Sequence, residues 1–178
     1  IDPKDIIGSG SAAQVYLGTL RGGRVAVKVL HPNIHASVER DLLLMQRVAF
    51  LIDSLPLEIV KMLSLPRATA NFASIMRRQV DLSVEGSNLD QFRDNFSNTL
   101  HRGRDHGRPQ DVPKIYFPEP QSDWIHSDVL VEDFVSDATP ISSFLKDTSD
   151  DGMKLRKELA GPLLRAFLKM VFMDNFVH

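Results

Sequence analysis

The stretch Ile7 to Leu20, IGSGSAAQVYLGTL, sets two glycines two residues apart, ahead of a run of strand-forming residues. Glycine lets main-chain amides come close to an anion without a Cβ in the way. Gly8, Ser9, Gly10, Ser11, Ala12 and Ala13 are therefore a candidate phosphate cradle. The residues after the cradle decide the fold. AQVYLGTL (13–20) and RVAVKVL (24–30) are two β-rich runs separated by Arg21-Gly22-Gly23, a hairpin signal.

GSGSAA satisfies the dinucleotide fingerprint G-x-G-x-x-A and is also close to the kinase loop G-x-G-x-x-G-x-V. The first motif must open a helix, here near Ser11, and needs an acidic residue about 20 positions on to hold a ribose. The second is the tip of a strand hairpin. Strand formers come directly after the glycines, and the position 20 residues after Gly8 is Lys28, in Val25-Ala26-Val27-Lys28. A lysine in that setting matches the third-strand V-A-I-K motif, whose ammonium neutralises nucleotide phosphates. An NAD-binding oxidoreductase is the weaker alternative, and a plain glycine hairpin with a surface lysine is the bland one.

A lysine facing phosphate wants a carboxylate to hold it. Asp81 and Glu85 are four residues apart in a helical pattern, so they share a face, and spacing alone lets either serve Lys28 or lets both edge a solvated helix.

The rest of the chain supplies context. Residues 33–55 place Ile34, Val38, Leu42, Met45, Ala49 and Ile52 on one helical stripe, with Asn33 as the expected cap. A second helix is expected from Pro66 through Phe92, weakened at Gly86. The stretch near 98–112 loses periodicity and reads as a polar surface loop. Its run RGRDHGR has anionic lipid as an alternative contact. KIYF and WIHSDVLVEDFV read as strands, and Met153 to Val177 as a helix with a kink at Pro162. The predicted class is α+β.

Composition narrows the function. The 178 residues carry a net charge of −2, which leaves no excess of positive charge for a nucleic-acid partner. Cysteine is absent, so disulfides and thiolate metal sites are excluded. No stretch approaches the roughly 20 apolar residues of a spanning helix, and no leader segment is visible. His31 and His35 have the four-residue spacing of helix-borne metal ligands, but Pro32 sets His31 outside the helix. His101 and His106 read as solvated, Trp124 near His126 as core or rim, and the six methionines as packing.

The segments GSGSAAQVY, VAVKVLHPNI with VERDL, QVDLSVEGSNLDQF, DVLVEDFV and FLKMVFMDNFVH, taken in order, resemble the UbiB or aarF-domain family of atypical kinases across nearly the whole chain. The resemblance implies a protein-kinase-like fold: an N-lobe with a helical insertion over residues 1–135, then a hinge exit and the start of a helical C-lobe over 136–178. It implies an adenine nucleotide, ATP or ADP with Mg²⁺, as ligand. Lys28 and Glu85 resemble the catalytic ion pair, and Asp81 the aspartate of the E-x-D motif. Gly8 to Ala13, with Val15 and Ala26, would line the nucleotide, and Glu132, Asp133, Phe134 and Val135 resemble the hinge that holds adenine. By the same resemblance the parent is mitochondrial and tied to lipid or ubiquinone partners, either as phosphotransferase or ATPase or as a non-catalytic regulator.

The chain departs from the family pattern in places. Gly8 and Gly10 stand where members carry alanine, and Gln79 stands at the E-x-D glutamate, as in the branch it resembles most. His178 resembles the first residue of His-Ala-Asp-x-His-Pro-Gly-Asn, so the catalytic aspartate, the metal-binding asparagine and the D-F-G aspartate would lie beyond it. The family's Lys-x-Gly-Gln extension is absent from the stretch. No turnover is expected from the chain alone.

Overall fold

The computed structural model describes residues 4–56, 58–97 and 115–176. Among these residues five strands form one antiparallel sheet, β1 (Ile6–Ser9), β2 (Ala13–Leu20), β3 (Gly23–Leu30), β4 (Pro120–Ile125) and β5 (Val129–Asp133). Their order is β1-β2-β3-β5-β4. Six helices accompany them: α1 (Ile34–Asp53), α2 (Glu58–Leu63), α3 (Leu65–Gln79), α4 (Leu82–Ser97), α5 (Ile141–Leu145) and α6 (Asp150–Leu168), the last running into a π-helical turn, Lys169–Met173. The class is α+β, with the antiparallel sheet and inserted helices of a kinase-like N-lobe.

The β2–β3 turn forms as its residues require. Arg21 and Gly22 both take positive φ, 51° and 85°, the two left-handed positions of a tight hairpin whose twist matches its strands. β3 then lies between β2 and β5, and Val25, Ala26 and Val27 are buried. Successive side chains alternate between faces. Ala13, Leu30 and Leu130 therefore meet Leu82 of α4 on one face, with Ile34, Leu89 and Ile125 around them. Val25, Val27 and Val131 form a second cluster with Tyr16, Leu20, Val29 and Val129.

The chain divides into two compact units. The first holds the sheet, α1 to α3 and α4 as far as Leu89. In it α1 packs on α3 through Leu42, Ala49 and Ala73, and Arg77 grips Glu39 by two bonds of 2.6 and 2.9 Å. The second holds α4 from Asp90 together with the residues from Val135 onward. Phe92 stacks on Phe117 at 5.2 Å and tilts against Phe176 at 4.8 Å, while Lys169 binds both oxygens of Asp174 and lies over the Phe96 ring. Ser149 caps α6 by accepting from the Gly152 N–H.

Several expectations are corrected. Asn33 does not cap α1 with its side chain; it adopts a left-handed φ of 61° instead. The helix expected from Pro66 to Phe92 is two helices, because Asp81 ends one run and starts the next. WIHSDVLVEDFV is a hairpin rather than a strand, since Ser127-Asp128 turns the chain and His126 N–H meets the Val129 carbonyl at 2.8 Å. Ile115, Tyr116 and Phe117 are not strand, and the helix expected from Met153 starts at Asp150, with Pro162 inside it. The sequence pattern does not announce β1 or α2. The polar stretch near 98–112, with His101 and His106, and His178 lie outside the described residues. Among the described residues no helix is long and apolar enough to cross a membrane.

Candidate functional site

The glycine loop joins β1 to β2, so the glycines sit at a hairpin tip and no helix opens near Ser11. This removes the geometry that a dinucleotide-binding loop needs. Gly8 pairs with Val15 and Ser9 with Gln14, and the Gly10 N–H closes the tip on the Ala13 carbonyl at 2.8 Å. A Cβ at Gly8 or Gly10 would meet its nearest neighbour at 3.6 Å, ordinary contact distance, and neither residue has positive φ. The backbone itself does not demand glycine there; space above the loop is what the glycines leave.

His31 ties the tip to the end of β3. Its N–H donates to the Ala12 carbonyl at 2.8 Å and its Nε2 lies 3.0 Å from the Gly10 carbonyl. A carbonyl only accepts, so Nε2 carries the proton. Ser11 and Ala12 then hold the tip N–H groups with no acceptor among the described residues.

Lys28 lies on β3 opposite Val15 and Leu130. Its Nζ donates to both oxygens of Glu85, at 2.8 and 2.6 Å, and the two side chains are about 30% exposed, 31% and 30%. Three features of α4 bring Glu85 there. The Leu82 N–H donates to the Ser127 carbonyl at 2.9 Å, and Leu82 is buried against Leu130. Asp81 accepts from the N–H and the hydroxyl of Ser83, at 2.9 and 2.6 Å, starting the helix. Gly86 then lets the helix press on the β4–β5 hairpin, since a Cβ there would lie 2.9 Å from Ile125 Cγ2 and 3.2 Å from Leu130 Cδ1. Asp81 therefore starts the helix, and Glu85 is the partner of Lys28.

Ala26 and Glu132 oppose each other two residues along from Lys28 and Leu130, on the same face. Glu132 is half-buried and lies in the ladder between β3 and β4. Burial, and next the negative charge of Glu85, push its carboxyl above the ordinary range against the opposing pull of Lys28. Asp133 pairs with Val25, donates its N–H to the Glu119 carbonyl at 3.0 Å and accepts from Gln121 at 3.0 Å. The Phe134 N–H meets the Arg24 carbonyl at 3.3 Å, and the Arg24 guanidinium stands over its ring. Val135 belongs to the second unit.

His31 and His35 do not converge on a metal. His35 Nε2 lies 2.7 Å from Asp128 Oδ1, and among the described residues no group of three or more His, Asp or Glu could hold an ion. Sequence reasoning weighs His31 as a ligand and misses it as the loop's tether; its neighbour Pro32, which keeps it extended, is the available signal.

The ABC1 atypical kinase-like domain model matches residues 3–178. The chain belongs to the ABC1 family. A mitochondrial ABC1 family protein of Saccharomyces cerevisiae is 32% identical over 97% of this chain and 26% of its own length. A protein of Dictyostelium discoideum named a probable serine/threonine-protein kinase is 34% identical over 96% of this chain and 22% of its own. A probable protein kinase UbiB of Marinobacter nauticus is 32% identical over 98% and 29%. The chain thus spans about a quarter of the length of these curated relatives. The ABC1 match includes the glycine loop, the Lys28–Glu85 pair and Glu132.

Proposed function

We propose that this ABC1 chain is the adenine-nucleotide-binding part of an atypical kinase, a phosphotransferase or ATPase, that takes ATP or ADP with Mg²⁺. Residues 1–135 act as the N-lobe and 136–178 as the hinge exit and the beginning of the C-lobe. The observation that carries this is the bidentate Lys28–Glu85 pair on the sheet face below a glycine hairpin. In this reading Ser11 and Ala12 offer N–H groups to phosphate, and Lys28 supplies the charge that neutralises it. Val15 and Ala26 flank the base, and Phe134 offers it a main-chain carbonyl, with its N–H on Arg24 and Asp133 already committed to Glu119 and Gln121. A setting in mitochondria, close to lipid and ubiquinone chemistry, is proposed on the family resemblance and on relatives named as mitochondrial.

A non-catalytic regulatory module is the second reading. Asp81 favours it, because the carboxylate that the family motif offers to ligand is engaged at Ser83.

Calorimetric titration of the chain with ADP and ATP, with and without Mg²⁺ and beside Lys28→Ala, tests the first reading. Nucleotide binding lost in Lys28→Ala supports it. Binding that Lys28→Ala leaves intact, or none in the unaltered chain, overturns it. Hydrolysis measured with the parent protein separates the enzyme from the regulator.

A further inference from the structure

We propose that the Glu132 side chain selects the base of the bound nucleotide, accepting a hydrogen bond from a 6-amino purine and rejecting a 6-oxo purine. The inference rests on the nucleotide reading above and deepens it.

The placement comes from register. The glycine tip sits at the level of Leu30, because Ala13 opposes Leu30 and His31 holds Gly10 and Ala12. Moving back along β3 on the same face come Lys28 and then Ala26, which Glu132 opposes. Four residues of strand separate the tip from this level, about 13 Å at 3.3 Å per residue. A ligand with its phosphates at the tip and at Lys28 has its base at Ala26 and Glu132. Ala26 presents only a methyl group at that level.

Glu132 has the chemistry for the task. No hydrogen bond or ion pair within 4.0 Å engages its carboxyl among the described residues, although it is half-buried. The cation that acts on it, Lys28, donates to both oxygens of Glu85. A carboxylate can only accept, so the 6-amino group of adenine matches it and the 6-oxo group of hypoxanthine or guanine opposes it with a second acceptor. Burying that mismatch costs more than one lost hydrogen bond. The charged groups that act on Glu132 are Glu85 from α4, Lys28 from β3 and Asp133 on its own strand. A protonated Glu132 can donate to a 6-oxo group, so discrimination weakens as pH falls.

Titration of the 178-residue chain with ADP and with IDP at pH 8 tests this beside the isosteric Glu132→Gln. An amide can both donate and accept. The expected result is ADP binding at least about tenfold tighter than IDP at pH 8, and a ratio near one in Glu132→Gln with ADP still bound. Equal affinity for ADP and IDP in the unaltered chain, or an unchanged ratio in Glu132→Gln, overturns the selection and leaves nucleotide binding standing. Binding of neither nucleotide overturns both.

Discussion

Lys28 on β3 and Glu85 on α4, 57 positions apart in the chain, are joined by two bonds of 2.8 and 2.6 Å between half-buried side chains. The pair fastens a helix to the sheet at the place where the glycine hairpin ends. Its value to stability lies between that of an exposed pair, at most about 1 kcal/mol, and a buried one, where losing one partner costs about 3–5 kcal/mol. A double-mutant cycle of Lys28→Met and Glu85→Gln in urea is expected to give a coupling of about 1–2 kcal/mol. A coupling indistinguishable from zero would show that α4 is held by its apolar contacts alone.

His31 is the second fixed point of the glycine hairpin. Its imidazole bond to the Gly10 carbonyl is exposed, the kind worth about 0.5–1.5 kcal/mol. His31→Ala is therefore expected to weaken ADP binding about two- to tenfold, with little change in the unfolding midpoint of the nucleotide-free chain. Glutamine, which still offers an N–H, restores affinity. Amide exchange supplies the direct check: the Gly10 N–H should exchange faster in His31→Ala than in His31→Gln.

The β2–β3 hairpin was legible because its devices are local. Alternating valines announce β3, and Arg21-Gly22 supplies the two left-handed positions that its turn requires. The helices were legible as apolar stripes but not as separate bodies. The apolar spacing runs on across Val80 and Leu82, and only the Asp81 carboxylate, by bonding Ser83, stops one helix and starts another. That same break decides the site. Spacing left Asp81 and Glu85 equal as partners for Lys28, whereas the new helix start puts Asp81 to capping and Glu85 on the lysine. His31 escaped notice because its partners, Gly10 and Ala12, are 21 and 19 positions away and are carbonyls, which no pattern of side chains announces.

Gly86 shows how close α4 must come. It occupies the interior of α4, where glycine costs about 1 kcal/mol relative to alanine, so packing explains its presence. The space a Cβ would need is taken by Ile125 and Leu130, the latter fully buried. Gly86→Val brings three carbons into that gap and is expected to destabilise the chain by about 1–3 kcal/mol. It should also weaken ADP binding by moving Glu85 away from Lys28. A Gly86→Val chain with unchanged midpoint and affinity would mean that the hairpin yields without cost.

Glu132 makes stability depend on pH in a direction opposite to that of most carboxylates. Burial and the neighbouring Glu85 raise its proton affinity in the folded chain above the ordinary value of 4.5. A raised folded value means that the native state binds the proton more tightly than the unfolded state does. The corresponding stability is fully present below 4.5 and is lost as pH rises through the folded value. Glu132→Gln removes the ionisation and keeps the shape. The variant is therefore expected to unfold at a higher temperature than the unaltered chain at pH 7 to 8, with the gap closing as pH falls toward 4.5. Thermal melts across that range in the absence of nucleotide decide the matter, and a gap that widens toward low pH would show that Glu132 is ionised and stabilised in the fold.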